Sequence, residues 1–172
     1  MAHNLTFILN CVSKIQDEDI HFLFIGDGAF KKRLLRQKES LQLTNVTMLN
    51  PISRQEVPDH ISITNIALIP LKKTDVFKTV IPSKIFENTA MGKPILLGVE
   101  GESKGIIEKY NAGLCFEPEN EGDFINKLTD LKNETAIYNN CKAGGLNLAR
   151  DFDRKSLAIK MLGYVKELHQ NT

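Results

Sequence analysis

Two features of the sequence predict an α/β fold, a parallel sheet with helices on both faces followed by an all-helical C-terminal segment. Short apolar runs alternate with amphipathic stretches as far as Cys115, and from Glu119 onward only helical spacing remains. Strands separated by helices run parallel, because each crossover returns the chain to the same end of the sheet. The 172 residues, 42% apolar and 25% charged, suit one ordinary domain over residues 1–172 with a sizeable core.

Each element has a local reason. Leu5, Ile8, Leu9, Val12 and Ile15 follow helical spacing, and "HFLFIGDG" then gives four apolar residues and a glycine turn, a buried strand by length and flanks. Phe30, Leu34 and Leu35 mark a second helix over about Gly28–Glu39. "NVTML" is a second strand and "IALIPL" (Ile66–Leu71) a third, and between them Ser53 and Glu56 have capping-box spacing for a short helix. "SKIFENTAMG" is the next helix, with Pro82 suited to its start and Gly92 to its end. "PILLGV" forms a fourth strand, "SKGIIEKY" a helix and "GLCFE" a short fifth strand. "EGDFINKLTDLK", a segment over about Glu134–Arg150 and "RKSLAIKMLGYVKELH" complete the chain as helices. In the last of these, Leu157, Met161, Val165 and Leu168 share one face.

A net charge of +1, with Lys and Arg scattered, gives no reason to expect nucleic acid or an anionic membrane as a partner. Any anion is therefore bound locally. Cys11, Cys115 and Cys141 are odd in number, far apart and without metal spacing, which suits free thiols in a reducing cytoplasm. No stretch approaches the ~20 apolar residues of a membrane span. His3, His21, His60 and His169 also lack metal spacing, no metal is expected, and no Ser-His-Asp arrangement is visible.

Ligands of open parallel sheets gather beyond the C-terminal strand ends, where helix starts point unpaired N–H groups at the crevice. Gly26, Asp27 and Gly28 close a strand and open a helix there, a geometry shared by phosphate loops and by plain tight turns. In "VIPSKIFENTAMGKPILLG", Ser83 and Lys84 fall in a first helical turn, so a hydroxyl, an ammonium and backbone N–H groups can converge on one anion such as a diphosphate. Glu87 lies on the same helix face, where it can accept from the vicinal hydroxyls of a ribose. The competing reading makes Lys84 and Glu87 a solvated surface pair. "GVEGESKG" offers Glu100 and Glu102, better suited to sugar hydroxyls than to phosphate.

Taken in order, "FLFIGDGAFKKRLL", "NVTMLNPISRQEVPDHI", "IALIPL", "IPSKIFENTAMGKPILLG" and "NAGLCFEPEN" resemble the C-terminal, donor-binding domain of GT-B retaining glycosyltransferases of family 4. The resemblance covers nearly the whole chain and is nearest the bacterial surface-polysaccharide branch, including fucosaminyltransferase-like enzymes. It implies a Rossmann-like domain that holds a nucleotide-sugar donor, a UDP-sugar first among them, while a second domain binds the acceptor. By this resemblance Glu87 holds the ribose hydroxyls, and Pro82, Ser83, Lys84 and Ile85 form the segment facing the diphosphate. Val57 and Pro58 flank the nucleobase. The family's other motif glutamate would stand eight residues before Glu87, where this chain has Thr79.

The resemblance also implies an acceptor domain, a linker, a strand and a basic glycine loop ahead of the first helix, so the chain is expected to be a C-terminal half. The strand would lie between "HFLFI" and "IALIPL", and without it the sheet is expected to close up there or to be covered by another chain. The face of the last helix from Leu157 to Leu168 is expected to be exposed and to favour self-association. Location is expected in the cytoplasm, peripheral to the inner membrane through the acceptor domain. A rival reading is a noncatalytic nucleotide-sugar-binding module working with a separate chain. A receiver-like signalling domain would want an acidic cluster at adjacent strand ends, and Asp27 stands alone.

Overall fold

The computed structural model describes residues 3–15 and 17–170. The chain opens with α1 (Leu5–Val12), β1 (Phe22–Ile25), α2 (Lys31–Ser40), β2 (Val46–Leu49) and α3 (Val57–Ser62). It continues with β3 (Ala67–Pro70), a 3₁₀ turn over Asp75–Thr79, α4 (Lys84–Ala90), β4 (Ile95–Gly98), α5 (Glu102–Tyr110) and β5 (Gly113–Cys115). The helices α6 (Glu121–Asn133), α7 (Thr135–Asp151) and α8 (Arg154–Gln170) follow. The expected alternation and helical C-terminus are both present. The second helix begins later than its apolar spacing suggests, because Gly28 to Phe30 form a turn in which the Lys31 N–H donates to the Gly28 carbonyl at 3.0 Å. The 3₁₀ turn over "DVFKT" has no apolar period and is not visible in the sequence.

Every strand pairing is parallel. β1 pairs with β2, Phe22 opposite Val46, and β3, β4 and β5 form a second set, with Ala67 opposite Ile95 and Ile95 opposite Gly113. The sheet is therefore divided between β1 and β3. This corrects one expectation: the sheet does not close up by pairing those two strands. The start of the chain meets the open side of β3 instead, where the Asn4 N–H donates to the Pro70 carbonyl at 3.1 Å and His3 bridges Leu71. Pro70 suits that side, since the alternating N–H groups of Ala67 and Leu71 face β4 and Pro70 has none to leave unpaired.

Packing explains why the fourth strand is apolar throughout. Side chains alternate across a strand, and Leu96 joins a cluster with Ile8, Val12, Phe22, Val46, Phe116 and Phe124, whereas Ile95 and Leu97 join Ile69, Ile85, Ile107 and Leu148. Both faces of β4 are thus covered, by α1 and α6 on one side and by α4, α5 and α7 on the other. Each aliphatic side chain taken wholly from water contributes about 1.5–3 kcal/mol. By contrast, α8 packs loosely: Leu157, Met161 and Val165, which share one face by their spacing, are exposed, as the resemblance implies. Among the described residues no helix is long and apolar enough to cross a membrane.

Candidate functional site

The stretch from Pro82 to Glu87 is built as a tight entry into α4. The Ile85 N–H donates to the Pro82 carbonyl at 3.1 Å, and the N–H groups of Phe86 and Glu87 both donate to the Ser83 carbonyl, at 3.0 and 3.2 Å. Below them Ile85 and Thr89 are fully buried, with the Thr89 hydroxyl donating to the Ile85 carbonyl at 2.8 Å, so the helix is pinned to the sheet by one face. Ser83, Lys84 and Glu87 are left on the exposed face. Lys84 and Glu87 are one turn apart, yet neither belongs to an ion pair among the described residues. Both side chains are exposed to solvent and are not ion-paired with each other. Ile85 has a different part from its neighbours: its side chain is buried and its N–H is spent in the turn, so it holds the segment and has nothing to offer a ligand. The donors that remain are the Ser83 hydroxyl, the Lys84 ammonium and the N–H groups of Ser83 and Lys84.

The Gly26–Gly28 loop is more occupied than its composition suggests. The Gly26 N–H donates to the Leu49 carbonyl at 3.3 Å, and the Gly28 N–H donates to the Asp27 carboxylate at 2.7 Å. Positive φ values of 141° at Gly26 and 155° at Gly28 account for the glycines. Lys31 then ties the loop to the end of β2, its ammonium donating to the Gly26 carbonyl, the Leu49 carbonyl and Asn50 Oδ1 at 2.9, 3.1 and 2.7 Å. With its glycine donors spent and a carboxylate in its centre, the loop has the character of a plain turn, the alternative left open by the sequence.

Val57 and Pro58 begin α3 after β2, Val57 half-buried and Pro58 exposed. Glu56 closes the preceding turn by accepting from the Ser53 N–H at 2.8 Å, as the capping-box spacing anticipates, and contacts with the Ser53 hydroxyl and N–H hold its carboxyl below the usual range. The nominated residues thus straddle the divided sheet: Gly26–Gly28, Val57 and Pro58 follow strands of the two-stranded part, and Pro82–Glu87 follow β3.

Sequence spacing passed over His3. The fold seats it half-buried at the end of β3, where it bridges Leu71. Burial first and the Lys84 ammonium second hold its pKa below the ordinary value, against the Pro70 hydrogen bond. No motif could have revealed this, since the bridge joins His3 to the distant Leu71. Also unread from sequence are a cavity of about 190 Å³ beside the 3₁₀ turn, lined by Lys72, Lys73, Asp75, Lys78 and Glu100 among others, and an open cleft of about 470 Å³ between that turn and α5. Ser83, Lys84 and Glu87 line neither. Within the first, Lys73 pairs with Glu117 at 2.9 Å and Lys78 with Asp75 at 2.8 Å, which raises the pKa of both lysines.

Comparison with known proteins places the chain in a family of transferases. Residues 2–147 match the family described as glycosyl transferases, group 1. The chain is 34% identical over 152 residues to the putative teichuronic acid biosynthesis glycosyltransferase TuaH of Bacillus subtilis, covering 87% of this chain and 37% of that protein. A glycosyltransferase from Rickettsia africae has the same fold over 100% of this chain and 46% of its own, with a TM-score of 0.81 at 18% identity. Anabaena Alr3699/HepE, solved in complex with UDP and glucose, matches 95% of this chain and 45% of its own, with a TM-score of 0.80 at 15% identity. The chain therefore spans less than half the length of each.

Proposed function

The chain belongs to the group 1 family of glycosyl transferases, and on that premise we infer that it is the donor-binding half of a retaining, family 4 transferase that uses a UDP-sugar in bacterial surface-polysaccharide synthesis. The observation that carries this reading is the exposed trio on α4. Ser83 and Lys84 offer a hydroxyl, an ammonium and two backbone N–H groups to a diphosphate, and Glu87, one turn along and ion-paired with no cation among the described residues, offers two carboxylate oxygens to the ribose hydroxyls. Val57 and Pro58 flank the base from the far side of the crevice. The Gly26–Gly28 turn, fixed by Lys31, shapes the wall between them.

Likeness to a structure solved with UDP and glucose supports a uridine nucleotide as ligand, and likeness to a protein named for teichuronic acid biosynthesis supports a polysaccharide product. Transfer requires donor and acceptor held together. The residues described here accordingly bind donor, and an acceptor-binding domain supplies the other wall, in the cytoplasm and against the inner membrane. A second reading is a noncatalytic nucleotide-sugar-binding module that pairs with a separate chain.

Titration calorimetry with UDP, GDP and UMP tests the donor reading. UDP is expected to bind more tightly than both, UMP losing the contacts to Ser83 and Lys84; equal affinity for UDP and UMP would refute a diphosphate site on α4. Transfer that appears only when a separately expressed acceptor half is added would select the second reading.

A further inference from the structure

The sequence of α2, KKRLLRQKES, carries five cations and one carboxylate, a concentration that the near-neutral whole conceals. Leu34 turns the helix onto the core on the same face of the sheet as α1, which leaves Lys32, Arg33 and Arg36 exposed on the far side. Lys32 and Arg36 are four apart and Arg33 and Arg36 three, so these side chains form one stripe. Phe30, 40% exposed, stands at the start of the helix, one turn before Arg33. We propose that this stripe and Phe30 dock the domain on an anionic lipid surface. The inference extends the placement against the inner membrane proposed above, giving a contact to this half of the enzyme as well as to the acceptor domain.

No neighbour among the described residues accounts for the stripe. Like charges three and four apart destabilise a helix, and cations in a first turn oppose the partial positive charge at its start. A carboxylate from another element would offset both costs, yet Lys32, Arg33, Arg36 and Lys38 belong to no ion pair among the described residues. Glu39, the one carboxylate of the helix, is exposed near its end and belongs to none either. Lys31 differs from its neighbours, since its ammonium is engaged by the Gly26 and Leu49 carbonyls. The stripe therefore carries a cost in stability that an external anion would offset.

Phe30 favours a bilayer over other polyanions, because an apolar ring beside cations can enter the headgroup boundary while the charges stay among the phosphates. A net charge of +1 gives no wider basic field for a nucleic acid to follow. The competing surface is α8, whose apolar side chains are exposed, but Lys155, Lys160 and Lys166 are five and six apart, so no two of them are neighbours on that helix. Because the strands are parallel, α2 and α4 both begin at the C-terminal rim of the sheet, on opposite faces, Leu34 packing into one core cluster and Ile85 into the other. Docking through the start of α2 thus keeps that rim at the lipid surface.

Co-sedimentation of the full chain with vesicles of phosphatidylcholine and phosphatidylglycerol in equal parts tests the inference. Binding is expected at about 0.05 M salt and is expected to be lost at about 1 M, where the Debye length falls to ~3 Å, and on vesicles of phosphatidylcholine alone. Each cation near an anionic surface contributes about fivefold to partitioning, so Lys32→Gln, Arg33→Gln and Arg36→Gln together should lower it about a hundredfold. Their melting point should be no lower than that of the wild type, since like-charge pairs are removed, and this separates lost docking from lost fold. Phe30→Ala should weaken vesicle binding as well. Lys155→Gln, Lys160→Gln and Lys166→Gln together change the net charge equally and should bind as the wild type does. No binding of the folded wild type to anionic vesicles at low salt overturns the inference, as does an equal or greater loss in the α8 variant. Binding to a DNA duplex with none to vesicles overturns it too. UDP does not enter these measurements, so either result leaves the donor reading to its own titration.

Discussion

Replacing Glu87 by Gln separates a ribose ligand from a surface residue. The side chain is exposed, its carboxylate belongs to no ion pair among the described residues, and Ile85 and Thr89 hold α4 in place from the other face. The fold should therefore be indifferent: exposed substitutions of this kind change stability by at most about 0.5 kcal/mol, or about 2 °C in a chain of this size. Binding should not be. Hydrogen bonds to a charged acceptor contribute about 1.5–3 kcal/mol and those to a neutral one about 0.5–1.5 kcal/mol, so replacing a carboxylate that accepts two ribose hydroxyls costs about 2 kcal/mol. That is roughly thirtyfold in the dissociation constant for UDP. Titration calorimetry measures it, with a circular dichroism melt to confirm the fold. Inorganic pyrophosphate is the internal control, because it has no ribose: its affinity should ignore Glu87→Gln and fall with Lys84→Ala. Unchanged UDP affinity in a folded Glu87→Gln protein would refute the ribose role, and equal losses for UDP and pyrophosphate would show a nonspecific change in the site.

Gly101→Ala should be among the more damaging single changes. Gly101 has φ 82°, and a Cβ there would lie 2.1 Å from the Lys78 carbonyl oxygen, so both strain and displacement of the 3₁₀ turn follow, about 3 kcal/mol or more and a melting point lower by at least roughly 6 °C. A loss under about 1 kcal/mol would contradict that contact. The full chain is expected to associate with rising concentration in sedimentation velocity, and deleting residues 154–172 is expected to abolish that while leaving the melting point within about 2 °C, because the described side chains of α8 are exposed. Association that persists in the shortened chain would place the contact elsewhere. Native thiols should react slowly with an aromatic disulfide at pH 8, since burial pushes Cys11 and Cys115 up to about 12 and raises Cys141 as well. Since only thiolate reacts, prompt modification of the folded protein would be incompatible with those environments.

What the sequence determined by itself is whatever near neighbours decide. Leu5, Ile8, Leu9 and Val12 make a helix face within two turns, "PILLG" is apolar at every step because β4 is covered on both sides, and the Pro82 and Gly92 that bound α4 act through their own backbone angles. The α4 trio belongs with these, since residues three and four apart on a helix share a face wherever the helix sits. Tertiary structure decided the matters that depend on distant partners. Whether Lys84 and Glu87 pair, and whether the glycine donors of the Gly26–Gly28 loop are free, turned on what else those groups could reach, and for the loop the answer was Leu49 and its own Asp27. Alternation predicts parallel strands and their helices but not which edges meet, so the division between β1 and β3 emerged only from the hydrogen bonds. His3 is the clearest case: it bridges Leu71 at the end of β3, brought to it by the packing of α1 on the sheet, and no spacing within the chain records that meeting.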